Sequence, residues 1–503
     1  MTGRRALLSA VLLVLLALPC APAWSAPDPA QGFGLNVQSL VRTTKVFTVD
    51  QWPSFLGLMT RDRLGVARAD ALWNRAEPTA PDALGRHYDW SSTDVLAGQF
   101  AAAGLRWEPV LDSSPAWARS DPINSFASPG PEHRADYAAF AAALVARYGQ
   151  GGTFWAEHPE LPARPMTMVE IWNEPNTAVH WGAPPDAAGY ADLYARARAA
   201  VKAQSPSTLV AIGGIVWNDD VAYLKGVLAA LGPNATVDGV ASHPYAPTVF
   251  SIVPNVQRMR RALDDAGRRD VPLLLNELGW PAAYDRAPSL HGSDGPVADG
   301  TRAGTMALAV DALASSTCGV GNIMIYDLVE DEQDPTHVES LMGLYRRDGS
   351  STATSAALRD AVARYRAAGG PGVPVPMCGA RGASATRLLG LRATATRQPS
   401  GCQQLTVTYR GLPIEEAQAR VLAPYTGVLA TDADGRAALC PQKPGDALRL
   451  VAEVPGVARS NTLVCGTTCR SVGAGAACVL RNVARTYRAS AATVARTGLR
   501  IRI

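Results

Sequence analysis

Lysine is nearly absent from this chain. Only Lys45, Lys202, Lys225 and Lys443 occur among 47 basic residues, and the others are arginine. Acidic residues number 44, so the formal net charge is +3. A balance this close to neutral leaves no electrostatic footprint for a nucleic-acid partner. Long hydrophobic runs are also missing. The apolar stretch over residues 6–18 is too short for a membrane span, and no later segment is long and apolar enough. That stretch follows a Met-Thr-Gly-Arg-Arg start and precedes small residues around Ala21, Ala23, Ser25 and Ala26. The pattern reads as a signal peptide over residues 1–26, so the mature protein is expected to be exported. Cys20 does not argue for a lipid anchor, because Pro19 stands where a lipobox needs a small residue. Losing Arg4 and Arg5 with the leader lowers the net charge to +1.

Other absences narrow the function further. No Gly-rich phosphate turn follows the first strand-like segment, which argues against an open nucleotide-binding sheet. Cys465 and Cys469 have no His pair nearby to complete a zinc site. Asp432 and Asp434 lack the remaining ligand positions and the closing Glu of a calcium loop. No cofactor and no metal are implied. Past Glu453 the chain has no acidic residue but eight arginines, from Arg459 to Arg502. That region reads as a solvated strand face, with a cell-envelope contact as the alternative.

What is present is an alternation of short and long segments. Eight short apolar or β-branched runs cover 33–38, 64–70, 105–111, 167–172, 208–213, 237–243, 271–277 and 320–326. Stretches such as 135–148 and 190–204 lie between them, with apolar residues at spacings of three and four. Eight strands with a helix after each predict a (β/α)8 TIM barrel over residues 27–366. The Pro/Gly-rich segment 367–377 predicts a linker. From 378 to 503 the period changes to two, with strands at 405–409, 419–423 and 448–454 and a hairpin turn at DADG 432–435. An Ig-like β-sandwich is expected there. Six cysteines, Cys378, Cys402, Cys440, Cys465, Cys469 and Cys478, suggest up to three disulfides in an exported domain. Cys318 stands apart in an apolar setting and reads as a buried thiol.

The chemistry is carried by two glutamates. VEIWNEPN places Glu174 just past the fourth predicted strand, and LLLNELGW places Glu277 at the end of the seventh. Loops at the C-terminal ends of barrel strands converge on one mouth. Two carboxylates there suit glycoside hydrolysis, one as proton donor and one as an ionised nucleophile. Trp73, Trp117, Trp217 and Trp280 each follow a predicted strand, where a flat ring could stack on a sugar. The acidic run Glu330, Asp331, Glu332 and Asp334 reads as a solvated loop. If it faced the cleft it would repel an anionic substrate.

WNEPN at 172–176 and NELGW at 276–280 resemble clan A glycoside hydrolases, whose acid/base and nucleophile follow strands four and seven. Within that clan, the segments 88–118, RYG 147–149, FWAEHPEL 154–161 and 326–344 are similar in order and spacing to glycoside hydrolase family 39 and its biofilm-polysaccharide relatives. The resemblance spans about residues 33–366. It implies that Glu174 is the acid/base and Glu277 the nucleophile. It further implies that Asn173 bonds the sugar 2-hydroxyl, that Arg68 keeps Glu277 ionised, and that His243 and Tyr245 line the site. Tyr326 ends the eighth strand where many clan A enzymes place tryptophan. The expectation is a retaining glycosidase, monomeric, acting on a polysaccharide or glycoconjugate. The alternatives are a glycan-binding scaffold without turnover and a transglycosylase.

Overall fold

The structure, a computed structural model, describes residues 28, 32–42, 47–216, 220–282, 297–330, 338–379, 383, 385–443 and 445–472. The leader, Trp217, Asp331, Glu332, Asp334, Cys478 and the basic tail beyond Arg470 lie outside the described residues.

Eight parallel strands close into a barrel in sequential order: β1 (Phe33–Asn36), β2 (Val66–Leu72), β3 (Arg106–Asp112), β4 (Met168–Asn173), β5 (Leu209–Val216), β6 (Gly239–His243), β7 (Leu273–Leu278) and β8 (Val320–Ile325). β1 pairs with β8 as well as with β2, so the sheet has no edge. These are the eight segments that the sequence pattern picked out. Each is covered on the outside by helices and filled on the inside by side chains, which is why β7 is buried at every position. Tyrosines fasten helices to the barrel wall. Tyr137 donates to the Leu111 carbonyl at 2.6 Å, Tyr190 to Ile171 at 2.7 Å and Tyr194 to Val210 at 3.0 Å. Helices Arg134–Tyr148 and Ala187–Gln204 are thereby fixed relative to β3, β4 and β5.

A strand-rich domain follows. Its strands are β9 (Leu389–Arg397), β10 (Gln403–Tyr409), β11 (Leu412–Pro413), β12 (Gln418–Ala423), β13 (Gly427–Ala430), β14 (Arg436–Leu439), β15 (Leu448–Val454), β16 (Ala458–Ser460), β17 (Thr462–Cys465) and β18 (Cys469–Val472). β9 joins its two antiparallel parts, pairing with β10 on one side and in parallel with β16 on the other. The DADG turn forms, with Gly435 at φ +71° and the Asp432 carboxylate accepting the Asp434 and Arg436 amides. It does not close a two-stranded hairpin, however. β13 pairs with β12, whereas β14 pairs with β10.

Cys318 is not a free thiol. It bonds Cys378, tying the start of β8 to the chain that leads into the second domain. The sequence hid this because the two half-cystines belong to different predicted domains. Cys402–Cys440 and Cys465–Cys469 are the other bridges among the described residues. Segment 367–377 also touches the barrel: Val375 exchanges backbone hydrogen bonds with Ser315 and Thr317, and Met377 is buried. Helix Asp299–Ala314 packs against β10 and β11 of the strand-rich domain. A Cβ on Gly304 would sit 2.0 Å from the Pro413 carbonyl, so only glycine lets the two backbones meet. Further along that helix, Asp311 Oδ2 takes hydrogen bonds from Arg364, Tyr409 and Arg410.

Candidate active site

β2, β4 and β7 bring a charged cluster to the barrel's C-terminal mouth. Its centre is Arg68, a buried guanidinium on β2. All five of its N–H groups find acceptors. Nε and Nη2 grip Glu170 at 2.9 and 3.0 Å, Nη1 reaches Asn36 and Glu277 at 2.6 Å each, and Nη2 also reaches Asn173 at 3.1 Å. Burial works against the charge of Arg68, but Glu170 and Glu277 outweigh it and hold the pKa well above its ordinary value. Glu170 is fully buried, which favours its neutral form. Arg68 overrides this, helped by Asn276, and its pKa is lowered.

Glu174 sits at the end of β4 on a strained turn. Trp172 has φ +67° and Glu174 φ +43°, in the left-handed region where a non-glycine residue costs about 1–3 kcal/mol. Pro175 prevents the strand from continuing. The Glu174 carbonyl accepts from Thr177 N at 2.9 Å and Thr177 Oγ1 at 3.0 Å, which fixes the turn. Its carboxylate meets an imidazole on each oxygen. His243 Nδ1 lies 3.0 Å from Oε1, and His180 Nδ1 lies 3.2 Å from Oε2. Burial raises the Glu174 pKa, whereas the hydrogen bonds of His180 and His243, and their charge when they are protonated, lower it below the usual carboxylate range. With both imidazoles neutral that charge is absent, and burial favours the proton that an acid must carry.

Glu277 Oε1 takes the Arg68 bond, and Oε2 accepts from Tyr245 at 2.8 Å. Burial and then the Glu277 charge push the Tyr245 phenol well above its ordinary pKa, so it keeps its proton and donates. An oxygen of Glu174, one of Glu277 and a nitrogen of His243 lie within 4.8 Å of one another, the only such cluster of metal-capable donors among the described residues. Glu277 already has a guanidinium on it, and Glu174 has two imidazoles. The donor set is therefore arranged for proton and charge traffic rather than for a cation.

His243 is buried, and its Nε2 has no partner among the described residues. A buried N–H without an acceptor is costly, so the proton belongs on Nδ1, facing Glu174. Gly214 on β5 makes room for the ring, since a Cβ there would lie 1.9 Å from Nε2.

The structure brings Arg68, Asn173, Glu174, His243, Tyr245 and Glu277 together. Tyr326 stands beside them, its ring centroid 6.5 Å from that of Tyr245 and its hydroxyl 3.4 Å from Glu339. Two tryptophans expected as sugar platforms are core residues instead. Trp73 has no exposed surface; it packs among Trp117, Tyr137 and Phe140 and donates to Glu77 at 2.8 Å. Trp280 is buried with its N–H on the Ala246 carbonyl. Both follow a strand, but the chain turns them inward. Trp117 is half-buried and donates to the Glu77 carbonyl. Trp217 lies outside the described residues. The sequence reading missed Glu170, Asn36, Asn276 and His180. A glutamate inside the apolar run VEIW was a signal for Glu170, because an ionised side chain there needs a buried partner. Nothing in the sequence pointed to His180.

Comparison with known proteins adds to this geometry. Residues 154–294 match the family model described as Cellulase (glycosyl hydrolase family 5), a span that includes both Glu174 and Glu277. No curated protein matches the sequence. Among solved structures, a family 39 glycoside hydrolase from the gut symbiont Bacteroides cellulosilyticus WH2 superposes with TM-score 0.52 at 17% identity, covering 83% of this chain and 82% of the other. A GH39 enzyme from Xanthomonas axonopodis pv. citri gives TM-score 0.52 at 15% identity, covering 88% and 95%. A GH39 β-xylosidase from Caulobacter crescentus gives 0.50 at 17%, covering 79% and 83%. Identities this low show a shared fold. Together with the sequence match over the span that holds both glutamates, they define the class: a glycoside hydrolase. More narrowly, the chain is similar in fold to family 39 enzymes and over part of its sequence to family 5.

Proposed function

We propose that the protein is an exported, retaining glycosidase that cleaves β-linked sugars in a polysaccharide or glycoconjugate by double displacement. The observation that carries this reading is the closeness of Glu174 and Glu277. Carboxyl groups roughly 5–5.5 Å apart leave no room for a water between nucleophile and sugar, so the second carboxylate attacks directly. The 4.8 Å limit on their nearer oxygens agrees with that regime.

In the first step Glu277 attacks the anomeric carbon while Glu174 protonates the departing oxygen. Arg68 and Tyr245 each donate to Glu277 and stabilise it as an anion. In the second step ionised Glu174 draws a proton from water, which displaces Glu277 from the same carbon. Asn173 Oδ1 is held by Arg68, which leaves the amide Nδ2 to donate to the sugar hydroxyl next to the reacting carbon. The three disulfides among the described residues support an extracytoplasmic site of action.

Glu277→Ala should abolish hydrolysis across a panel of polysaccharides and aryl β-glycosides. Azide added to that variant should give an α-glycosyl azide, detected by mass and NMR. Undiminished hydrolysis by Glu277→Ala, or a β-azide, would overturn the assignment.

A further inference from the structure

The acid/base has a second imidazole that the barrel strands do not supply. His180 lies on the short helix Ala178–Trp181, beyond the β4 turn. Its backbone is held at both ends: its amide donates to Thr177 Oγ1 at 3.3 Å, and its carbonyl accepts from Trp172 Nε1 at 2.6 Å. Its proton can be placed by elimination. Thr177 Oγ1 gives its one hydrogen to the Glu174 carbonyl at 3.0 Å. Towards His180 Nδ1, 3.1 Å away, it therefore offers only a lone pair. Nδ1 must carry the hydrogen, and that hydrogen is shared between Thr177 Oγ1 and Glu174 Oε2, 3.2 Å away.

The two imidazoles are not equivalent. His243 is sealed in the barrel on Oε1, whereas His180 is half-exposed, with the rim ring of Phe126 edge-on at 5.9 Å. Oε2 is thus the carboxylate oxygen on the open side. Phe126 comes from the loop after β3, which is fastened to the same helix by Asn124 donating to the Val179 carbonyl at 2.8 Å.

We propose that His180 is a positioning residue for Glu174: its Nδ1–H, oriented by Thr177, fixes the carboxyl rotamer on the open side of the site. This rests on Glu174 being the acid/base. In the glycosylation step the Oε2 proton passes to the glycosidic oxygen as the C–O bond breaks and Glu277 bonds to the anomeric carbon. The Nδ1–H stays on His180 and receives the new Glu174 anion. The ionisable groups facing Glu174 among the described residues are His180, His243, Tyr245 and, across His243, Glu277.

The test uses full-length His180→Ala and His180→Asn; asparagine keeps a neutral N–H donor near the Nδ1 position. One arm needs no turnover. In protein carrying carboxyl-¹³C glutamate, the Glu174 signal is assigned by its loss in Glu174→Gln. Its titration midpoint should rise by about one pH unit in His180→Ala and less in His180→Asn. The kinetic arm compares leaving groups. With methyl or sugar leaving groups, kcat/KM of His180→Ala should fall roughly tenfold or more, with recovery in His180→Asn. With 2,4-dinitrophenyl glycosides, which leave without protonation, kcat/KM should stay unchanged and so report an intact fold. An unmoved Glu174 midpoint, or an equal loss on both kinds of leaving group, overturns the proposal. A shifted midpoint in a protein that cleaves no glycoside would instead sink the glycosidase reading and leave the imidazole–carboxylate coupling standing.

Discussion

Replacing Arg68 with methionine tests the electrostatic core of the site most severely. Methionine fills much of the same space and removes all five donors. Glu170 would keep Asn276 Nδ2 at 2.7 Å and the Gly214 amide at 2.7 Å, but no cation, in a place with no exposed surface. Glu277 would keep Tyr245 at 2.8 Å and, more distantly, His243 Nδ1 at 3.5 Å. Removing one partner of a buried ion pair typically costs about 3–5 kcal/mol, because the remaining charge has no compensation. We expect a loss of that size at pH 7, read as a fall in the urea midpoint of the barrel transition. The loss should shrink in acid. Wild-type Glu170 has a lowered pKa, so its contribution is present above the ordinary carboxylate range and fades as the pH falls through the folded value. Glu170→Gln on top of Arg68→Met removes the stranded charge and should recover a large part of the loss. Catalysis should not recover with it, since Glu277 still lacks its cation. A cost below about 1 kcal/mol for Arg68→Met, or no recovery in the double variant, would refute the account of Arg68 as the neutraliser of two buried carboxylates.

Three further outcomes are expected. Gly214→Ala pushes a methyl into the His243 ring and should cut hydrolysis roughly 100-fold, the scale of an ångström-sized misplacement, while the circular dichroism spectrum stays that of a folded barrel. Glu108, buried inside the barrel, has its carboxyl pushed up to about 7, first by burial and then by the Glu170 charge. It keeps a proton that the unfolded chain releases near 4.5, so its stabilisation is present below that value and is lost as the pH rises to about 7. Glu108→Gln should therefore flatten the decline in Tm between pH 5 and 7, and an unaltered slope would contradict the assignment. Breaking Cys318–Cys378, which closes a separation of 60 residues, should cost about 4 kcal/mol by loop-closure entropy, measured by comparing Cys318→Ser/Cys378→Ser with wild type in urea.

The barrel was legible because its determinants are local and repeated. Eight apolar runs, each followed by a helical period, can bury both faces of a parallel sheet only by closing it or by covering it twice, and the missing phosphate turn removed the second option. WNEPN and NELGW were legible as strand-end carboxylates for the same reason: a strand's end is a local feature, and barrel topology collects all such ends at one mouth. Period two likewise marked β10, β12 and β15.

Tertiary structure decided what depends on direction and distance. Trp73 and Trp280 hold the sequence positions of rim platforms, yet their rings turn into the core, because a side chain's heading past a strand depends on the turn that follows. Cys318 found its partner across a predicted domain boundary, since disulfide pairing depends on Cα distance and not on regional clustering. His180 meets Glu174 across a turn in which Trp172 and Glu174 hold left-handed backbone angles, a local geometry that no sequence pattern announced. The sequence by itself determined which residues could do the chemistry and at which end of the barrel. The burial of Arg68 between two carboxylates, and the proton placed on His243, arise only when β2, β4, β6 and β7 meet, because charge in a protein takes its energy from neighbours that are distant in the chain.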